Sequence, residues 1–185
     1  CRIFTRWPIS DYKSLVDKKI KIGYGDEYIK MGSLKGFADG SLGSSTAWFF
    51  ERYNQDTTTT GLPMHIITDG SMEKWALDAD KNYLQLSVHA IGDRANSYML
   101  DLYDKISKQN PKWDRRFRIE HAQHVRFEDI KRFKELGVIA SVQPYHCIDD
   151  GVWAEKRIGP ERIKYTYPFK SFLDAGVKLC FGTDW

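Results

Sequence analysis

Short apolar runs rich in β-forming residues alternate along the chain with longer stretches of helical periodicity. The apolar runs predict six strands, with boundaries good to about 2–4 residues, at residues 2–6, 28–38, 84–89, 117–121, 138–143 and 178–183. The stretches between them predict helices over residues 11–18, from 67 onward, and over 93–107, 127–136 and 168–175. Strand and helix therefore follow each other throughout.

Two long connections interrupt this order. Residues 48–64 contain four consecutive threonines and the turn-forming Gly61-Leu-Pro63, and they predict an active-site loop or a surface excursion. A second loop is predicted from Tyr145 onward, through the Asp149-Asp150 pair to a turn at Gly159-Pro160. The sequence of the first connection specifies no chemistry.

Consecutive βα units with nearly continuous apolar strands indicate an α/β protein with a parallel sheet. The 185 residues and the 42% apolar fraction fit one domain with a real core. Two architectures satisfy the order of elements: an open doubly wound sheet, and a closed (β/α)8 barrel, the TIM barrel. The polar residues of the strands fall at the carboxyl ends, which form the rim where barrel active sites lie.

Two of the predicted strands end in histidine and a third ends in aspartate. His89 and His121 are 32 positions apart, about the length of one strand-loop-helix-loop repeat, so both are expected on one rim. Asp184 takes the equivalent place after the last strand. Two imidazoles and a carboxylate suit a divalent transition metal, whereas the competing interpretation of each histidine is an ordinary core or loop residue.

Lys35 and Asp39 lie on one face of the second strand and Lys30 lies on the other, because neighbouring side chains alternate. We therefore expect Lys35 to point into a barrel and Lys30 to point outward. An ordinary ion pair between Lys35 and Asp39 is one interpretation. A metal ligand is the other, and it requires the amine to lose its charge, which burial favours.

Charge and cysteine content exclude several classes of protein. The net charge of +3, from 28 basic and 25 acidic residues, is too balanced to indicate a nucleic-acid or membrane partner. Three widely spaced cysteines form neither a disulfide framework nor a zinc knuckle, and no run approaches the ~18 apolar residues of a membrane span. A small-molecule substrate is the expected partner, and a homo-oligomer is compatible with the sequence. The compartment stays open, with the cytoplasm favoured.

Five motifs resemble the amidohydrolase superfamily, and most of all its amidohydrolase family 3 branch of YtcJ-like proteins. They occur in the family's order across nearly the whole chain, at residues Lys35–Ala47, Val88–Ala95, Arg118–Gln123, Ser141–Pro144 and Phe181–Trp185. The resemblance implies a metal-dependent hydrolase on a (β/α)8 barrel, with a small β-domain formed by the two ends of the chain. By this likeness the six strands are the third to the eighth, and residues 1–185 are a partial barrel truncated at both ends.

The resemblance also implies roles for individual residues. His89 and His121 match the metal ligands of the fifth and sixth strands, and Asp184 matches the eighth-strand aspartate, which takes the proton of a metal-activated water. Lys35 matches the fourth-strand lysine, which is carbamylated in several branches. One or two divalent ions, with zinc expected, would be the cofactor. The family's first-strand His-x-His pair is absent, which we interpret as truncation before Cys1.

The substrate is expected to contain an amide, a formamide or a related C–N bond. The candidates for binding it are Asp39, Arg94, Gln143 and His146. Arg94 or Gln143 would hold a polar end, and His146 would stabilise the oxyanion. Asp93 is predicted to cap the following helix and to pair with Arg94.

Two other classes remain open from the sequence. One is an open-sheet α/β hydrolase or nucleotide-binding domain with phosphate at Gly40–Ser45, although that loop lacks the Gly-Lys-Ser/Thr ending of a P-loop. The other is a folded but catalytically incomplete fragment, inactive alone. His65 and His124 are interpreted as bystanders, His124 as a helix cap.

Overall fold

The structure, a computed structural model, describes residues 1–184. Its strands are β1 (Ile3–Pro8), β2 (Ile29–Phe37), β3 (Gln85–Ala90), β4 (Arg118–His121), β5 (Ile139–Val142) and β6 (Leu179–Phe181). Its helices are α1 (Tyr12–Asp17), α2 (His65–Thr68), α3 (Ser71–Lys81), α4 (Asp93–Gln109), α5 (Phe127–Leu136), α6 (Pro144–Asp150), α7 (Ala154–Arg162) and α8 (Phe169–Asp174). Trp185, the last residue of the predicted Phe181–Trp185 motif, lies outside the described residues.

The six strands form one sheet in sequential order, and every neighbouring pair is parallel. An open doubly wound sheet reverses its strand order at a switch point, and the strands of residues 1–184 show no reversal. The alternative of an open-sheet hydrolase or nucleotide-binding domain is therefore wrong. The sheet is a curled part of a (β/α)8 barrel, as predicted, so its six carboxyl ends meet at one rim.

The main core lies between the sheet and its helices. All six residues of the central strand β3 are buried, as expected for a parallel strand covered on both faces. Helices α3, α4 and α5 cover the sheet with apolar side chains that include Met72, Met99 and Phe133. The edge strands are less covered, with Phe4 of β1 57% exposed and Phe181 of β6 65% exposed. Burial is therefore greatest in the middle of the sheet, where the strand-end histidines lie.

The second predicted loop is largely helical. Pro144 occupies the first turn of α6, where proline is tolerated because its nitrogen needs no hydrogen bond within the helix. The prediction of an irregular loop from Tyr145 is therefore wrong. The predicted turn at Gly159-Pro160 is confirmed as a break inside α7, where Gly159 has φ 83°. Of the helices within residues 1–184, none combines the length and apolar character needed to span a membrane.

The first long connection, residues 48–64, folds back onto the protein. Phe49 and Tyr53 are buried in a second apolar cluster that consists of Leu42, Ala47, Phe49, Tyr53, Ile91, Ala154 and Ile158. The buried guanidinium of Arg162 donates to two backbone carbonyl oxygens of this connection, at 3.1 and 2.7 Å. This segment therefore packs against Leu42 and Ile91, while its residues 50–52 and 54–58 are exposed at the surface.

A buried carboxylate joins the end of α3 to the loop before β4, opposite the rim. Asp80 is 1% exposed. It accepts hydrogen bonds at 2.8 to 3.1 Å from the side chains of Asn110, Trp113 and Arg115. The guanidinium of Arg115 contacts both carboxylate oxygens, which is the strongest geometry for such a pair.

Replacing Asp80 by alanine is expected to lower the free energy of unfolding by about 3–5 kcal/mol, because the largely buried Arg115 loses its carboxylate partner. The matched control is Asp104→Ala, which removes a partly exposed ion pair between Asp104 and Lys108, both in α4. This change should lower the free energy of unfolding by about 0.5 kcal/mol or less. Urea denaturation measures both changes. Equal losses in the two variants would show that the Asp80 network contributes no more than a surface pair.

Candidate active site

A cavity of about 550 Å³ opens among the carboxyl ends of the strands. This volume lies within the roughly 300–1,000 Å³ of small-molecule sites. The cavity contains all four predicted metal-binding residues, and its lining consists of Lys35, Phe37, Ser41, Leu42, Gly43, His89, Ile91, His121, Gln123, His146, Asp149, Asp150, Trp153 and Asp184. The structure therefore brings together side chains that are up to 149 positions apart in the sequence.

Three imidazoles converge in this cavity. His89 lies near the end of β3 and His121 at the end of the neighbouring β4, opposite Ala90 in the register. The ring centroids of His89 and His121 are 4.5 Å apart, with the ring planes at 69°. His146, from α6, stacks on His121 at 6.0 Å between centroids. Asp184 Oδ2 lies 3.9 Å from His121 Nε2, so a carboxylate joins the imidazoles.

Lys35 lines the same cavity and is half-buried, while Lys30 is exposed. The predicted direction of the Lys35 side chain is therefore confirmed. Its Nζ lies 4.8 Å from the centre of the Phe37 ring. Burial lowers the pKa of the Lys35 amine, and the carboxylate of Glu120 opposes that shift. The amine is thus easier to neutralise than that of an exposed lysine, as a metal ligand requires.

Asp39 is buried beside His89 and makes backbone contacts in place of the predicted ion pair with Lys35. Its two oxygens accept hydrogen bonds, at 2.8, 3.0 and 2.8 Å, from the N–H groups of Trp48, Ile91 and Gly92. His89 Nε2 lies 3.4 Å from Asp39 Oδ1 and donates to the carbonyl oxygen of Gly40 at 2.9 Å. Asp39 is therefore a residue that joins the loops after β2 and β3 and holds the His89 ring. It does not line the cavity, so the predicted substrate contact is not observed.

A polar network crosses the inner face of the sheet below the rim. Glu120 Oε1 accepts hydrogen bonds or ion-pair contacts at 2.6 to 3.0 Å from Ser87, Arg118 and Arg6. Arg118 in turn donates to Ser141 and Cys180. Burial raises the pKa of Glu120, but hydrogen bonds from Ser87 and Arg118 outweigh it and lower the pKa to about 2. The network therefore places a permanent anion among five of the six strands.

The four predicted ligands approach the geometry of a metal site without reaching it. Two ligands of one tetrahedral zinc ion lie roughly 3.3–3.5 Å apart, whereas His121 Nε2 and Asp184 Oδ2 are 3.9 Å apart. Within residues 1–184, no three His, Cys, Asp or Glu side chains are grouped closely enough to hold an ion. The cavity therefore needs a small contraction, or further ligands, to bind a metal.

The state of His121 fits a divalent ion. Its Nδ1 is buried and has no hydrogen-bond partner within the described part of the chain. Burial lowers the pKa of His121, and the neighbouring His89 lowers it further. A neutral imidazole is the form that binds a metal. The buried Nδ1 costs free energy until a ligand contacts it.

Strained backbone conformations occur at the rim. His121 has φ 76°, Ala122 has φ 44° and Asp184 has φ 59°, and such left-handed conformations cost about 1–3 kcal/mol each in residues other than glycine. Strict alternation would place His121 on the same face as Ile119, which is buried in the main core. The turn of the backbone at His121 instead brings its ring into the cavity.

Two other predicted substrate contacts lie outside the cavity lining. Arg94 is exposed, and its guanidinium lies over the rings of Trp48 and Phe50. Gln143, the residue after β5, is buried, and its Nε2 donates to the backbone carbonyl oxygen of Ser141 at 3.3 Å. Asp93 is the first residue of α4 instead of its cap, and it accepts the N–H of Phe50 instead of pairing with Arg94. His146 does line the cavity.

Asp150 and Trp153 were not among the predicted site residues, although both contribute to the cavity. Asp150 lines the cavity and accepts hydrogen bonds, each 2.6 Å long, from Gln123 and Tyr167. Burial raises the pKa of the Asp150 carboxyl, and these two donors oppose the rise. The signal for Asp150 was its i, i+4 spacing from His146, which places both on one side of α6. Trp153 lies beyond the end of that helix, immediately before α7.

The fold and its rim define a partial (β/α)8 barrel of the kind found in metal-dependent hydrolases. The chain belongs to the Amidohydrolase family, whose family model matches residues 5–185. The predicted resemblance to the amidohydrolases is therefore confirmed.

Relatives and a solved structure agree with this assignment. Protein LONG AFTER FAR-RED 3 of Arabidopsis thaliana is 40% identical over 181 residues, which are 97% of this chain and 31% of that protein. The YtcJ protein of Bacillus subtilis (strain 168) is 32% identical over 157 residues, 85% of this chain and 29% of that protein. The crystal structure of an uncharacterized metal-dependent hydrolase from Pyrococcus furiosus has a TM-score of 0.85 and 32% identity, covering 99% of this chain and 36% of that chain. This chain thus spans about a third of the length of each protein.

His124 is not a helix cap, because α5 begins after Arg126. It is fully buried, and its Nδ1 lies 2.8 Å from Thr166 Oγ1. Burial, with the nearby charge of Arg162, lowers the pKa of His124 to about 3. The folded protein therefore keeps this imidazole neutral.

The free energy of unfolding is expected to fall as the pH is lowered from about 6.5 towards 3, because the unfolded chain protonates His124 at an ordinary imidazole pKa and the folded chain does not. One such group changes the free energy of unfolding by up to about 1.4 kcal/mol per pH unit. His124→Gln, which keeps a hydrogen-bonding group near Thr166, should reduce the slope measured by urea denaturation between pH 4 and 7. An unchanged slope in that variant would contradict the buried neutral state.

Proposed function

We propose that this chain supplies the catalytic rim of a metal-dependent hydrolase that cleaves amides, formamides or related C–N bonds. The observation that carries the proposal is the convergence of His89 and His121, 4.5 Å between ring centroids, in one cavity with Lys35 and Asp184. Membership of the Amidohydrolase family supports the hydrolytic chemistry. The cavity volume of about 550 Å³ fits a small-molecule substrate.

His89, His121 and Asp184 would hold a divalent ion, and zinc suits this set of nitrogen and oxygen donors. Lys35 would join them as a carbamate, formed when its neutral amine adds carbon dioxide and releases a proton, and the carboxylate so formed would be a further oxygen ligand. The lowered pKa of Lys35 favours that reaction because only the neutral amine can react. When bound, the ion makes a water molecule acidic enough to lose a proton near pH 7.

The residues of the chain account for the movement of protons. The carboxylate of Asp184, beside His121, accepts the proton of the attacking water as its oxygen bonds to the carbonyl carbon of the substrate. Asp184 then gives that proton to the leaving nitrogen as the C–N bond breaks, which yields a carboxylic acid and an amine. His146, stacked on His121, donates a hydrogen bond to the developing oxyanion.

A folded but catalytically incomplete unit is the second candidate. Two observations favour it: the chain spans about a third of its relatives, and residues 1–184 do not group three ligands at one point. In that case the same side chains act only within a longer protein that adds further ligands. A His-x-His pair of the kind carried by the family's first strand is absent from this sequence and is the expected addition.

In the intact protein, His89→Ala and His121→Ala are each expected to reduce the bound zinc and to lower kcat/KM for N-acyl or N-formyl amines by about 100-fold or more, because each removes a ligand at the rim. Elemental analysis and a hydrolysis assay measure the two effects. The matched control is His65→Ala, since His65 is exposed on α2 and lies outside the cavity lining.

A double variant of His89 and His121 that retained its full zinc content would refute the metal site. The 185-residue chain, assayed alone with added zinc, separates the two candidates. Turnover comparable to that of the intact protein would refute the incomplete unit, and metal binding without turnover would support it.

A further inference from the structure

Loops, rather than strand ends, build an apolar part of the cavity. Leu42, Ile91 and Trp153 form this part, which we term the apolar wall. Leu42 and Ile91 belong to the second apolar cluster, and Trp153 packs against that cluster. The apolar wall therefore has its own apolar support, separate from the main core between the sheet and the helices.

Neighbouring side chains hold the indole of Trp153. The guanidinium carbon of Arg157 lies 5.2 Å from the centre of the Trp153 ring, and Arg157 Nη1 donates to Ser45 Oγ at 2.8 Å. The carbonyl oxygen of Arg157 accepts the N–H of Asn54 at 2.7 Å, which fixes the same residue at its backbone. A side chain held in this way loses little conformational freedom when a ligand packs on it.

The polar groups near the apolar wall offer little to a charged ligand. The carboxylate of Asp150 already accepts hydrogen bonds from Gln123 and Tyr167. Asp149 is exposed to solvent, where its charge is screened. Leu42, Ile91 and Trp153 themselves carry no charge, so the wall offers contact area that suits an uncharged apolar group.

We propose that the apolar wall selects substrates whose scissile amide carries an apolar substituent of several carbons, and that Trp153 is the main specificity-determining residue. The inference rests on the proposed function, because it takes the reacting group to lie at His89 and His121. An amide group alone fills only a fraction of the cavity, so a longer substituent has room beside it.

The test compares N-hexylacetamide with N-methylacetamide as substrates of the intact protein with zinc. Trp153→Ala should lower kcat/KM for the hexyl substrate about 10-fold or more, mainly through KM, and change that for the methyl substrate less than about threefold. Trp153→Phe should retain most of the preference for the hexyl substrate. The matched control is Val152→Ala, because Val152 is the adjacent apolar residue but is 80% exposed and does not line the cavity.

Equal losses for both substrates in Trp153→Ala would overturn the proposal, since they would indicate a structural role, and so would an unchanged kcat/KM for the hexyl substrate. A binding measurement separates this inference from the proposed function. If the intact protein hydrolyses neither amide, ligand-observed NMR of N-hexylacetamide with the metal-free wild type and Trp153→Ala still decides. Weaker binding to the variant supports the apolar wall although hydrolysis has failed, and equal binding overturns it.

Discussion

The carboxylate of Asp39 is the constraint on which the arrangement of the rim depends. Its two oxygens accept hydrogen bonds from three backbone N–H groups, that of Trp48 and those of Ile91 and Gly92, which lie more than 40 positions further along the chain. The loops that follow β2 and β3 therefore cannot move independently. The same carboxylate lies beside the His89 ring and accepts the N–H of Ile91. Asp39 therefore positions both a predicted metal ligand and a residue of the apolar wall. Full use of its oxygens lets Asp39 remain buried without a counter-ion.

The inner face of the barrel separates two kinds of polar group. Permanent ions lie below the rim, where Glu120 contacts Arg6 and Arg118 across several strands. His121 lies on the rim, where burial, the neighbouring His89 and Lys35 all lower the pKa of its imidazole. The cationic side chains around Glu120 hold neighbouring strands together, whereas burial, His89 and Lys35 favour the uncharged form of His121 that a metal ligand requires.

The sequence predicted the βα order and the lining positions of Lys35, His89, His121 and Asp184, because each lies at or near the carboxyl end of a predicted parallel strand. Alternation along the strand alone would have placed His121 on the opposite face. It could not predict the partners of Asp39, which come from residues 9 to 53 positions away and depend on how two loops pack. The positions of Arg94 and Gln143 outside the cavity lining were not predictable for a related reason, since their directions are set by the 48–50 segment and by the end of β5. Trp153 was missed because α6 and α7, the helices on either side of it, were interpreted as a loop.

The left-handed backbone conformations of His121, Ala122 and Asp184 lower the stability of the folded protein. At each of the three positions a glycine would adopt the same angles without that penalty. Glycine at position 121 or 184 would relieve the strain but would remove the side chain. The imidazole of His121 and the carboxylate of Asp184 therefore reach the cavity at the expense of backbone stability.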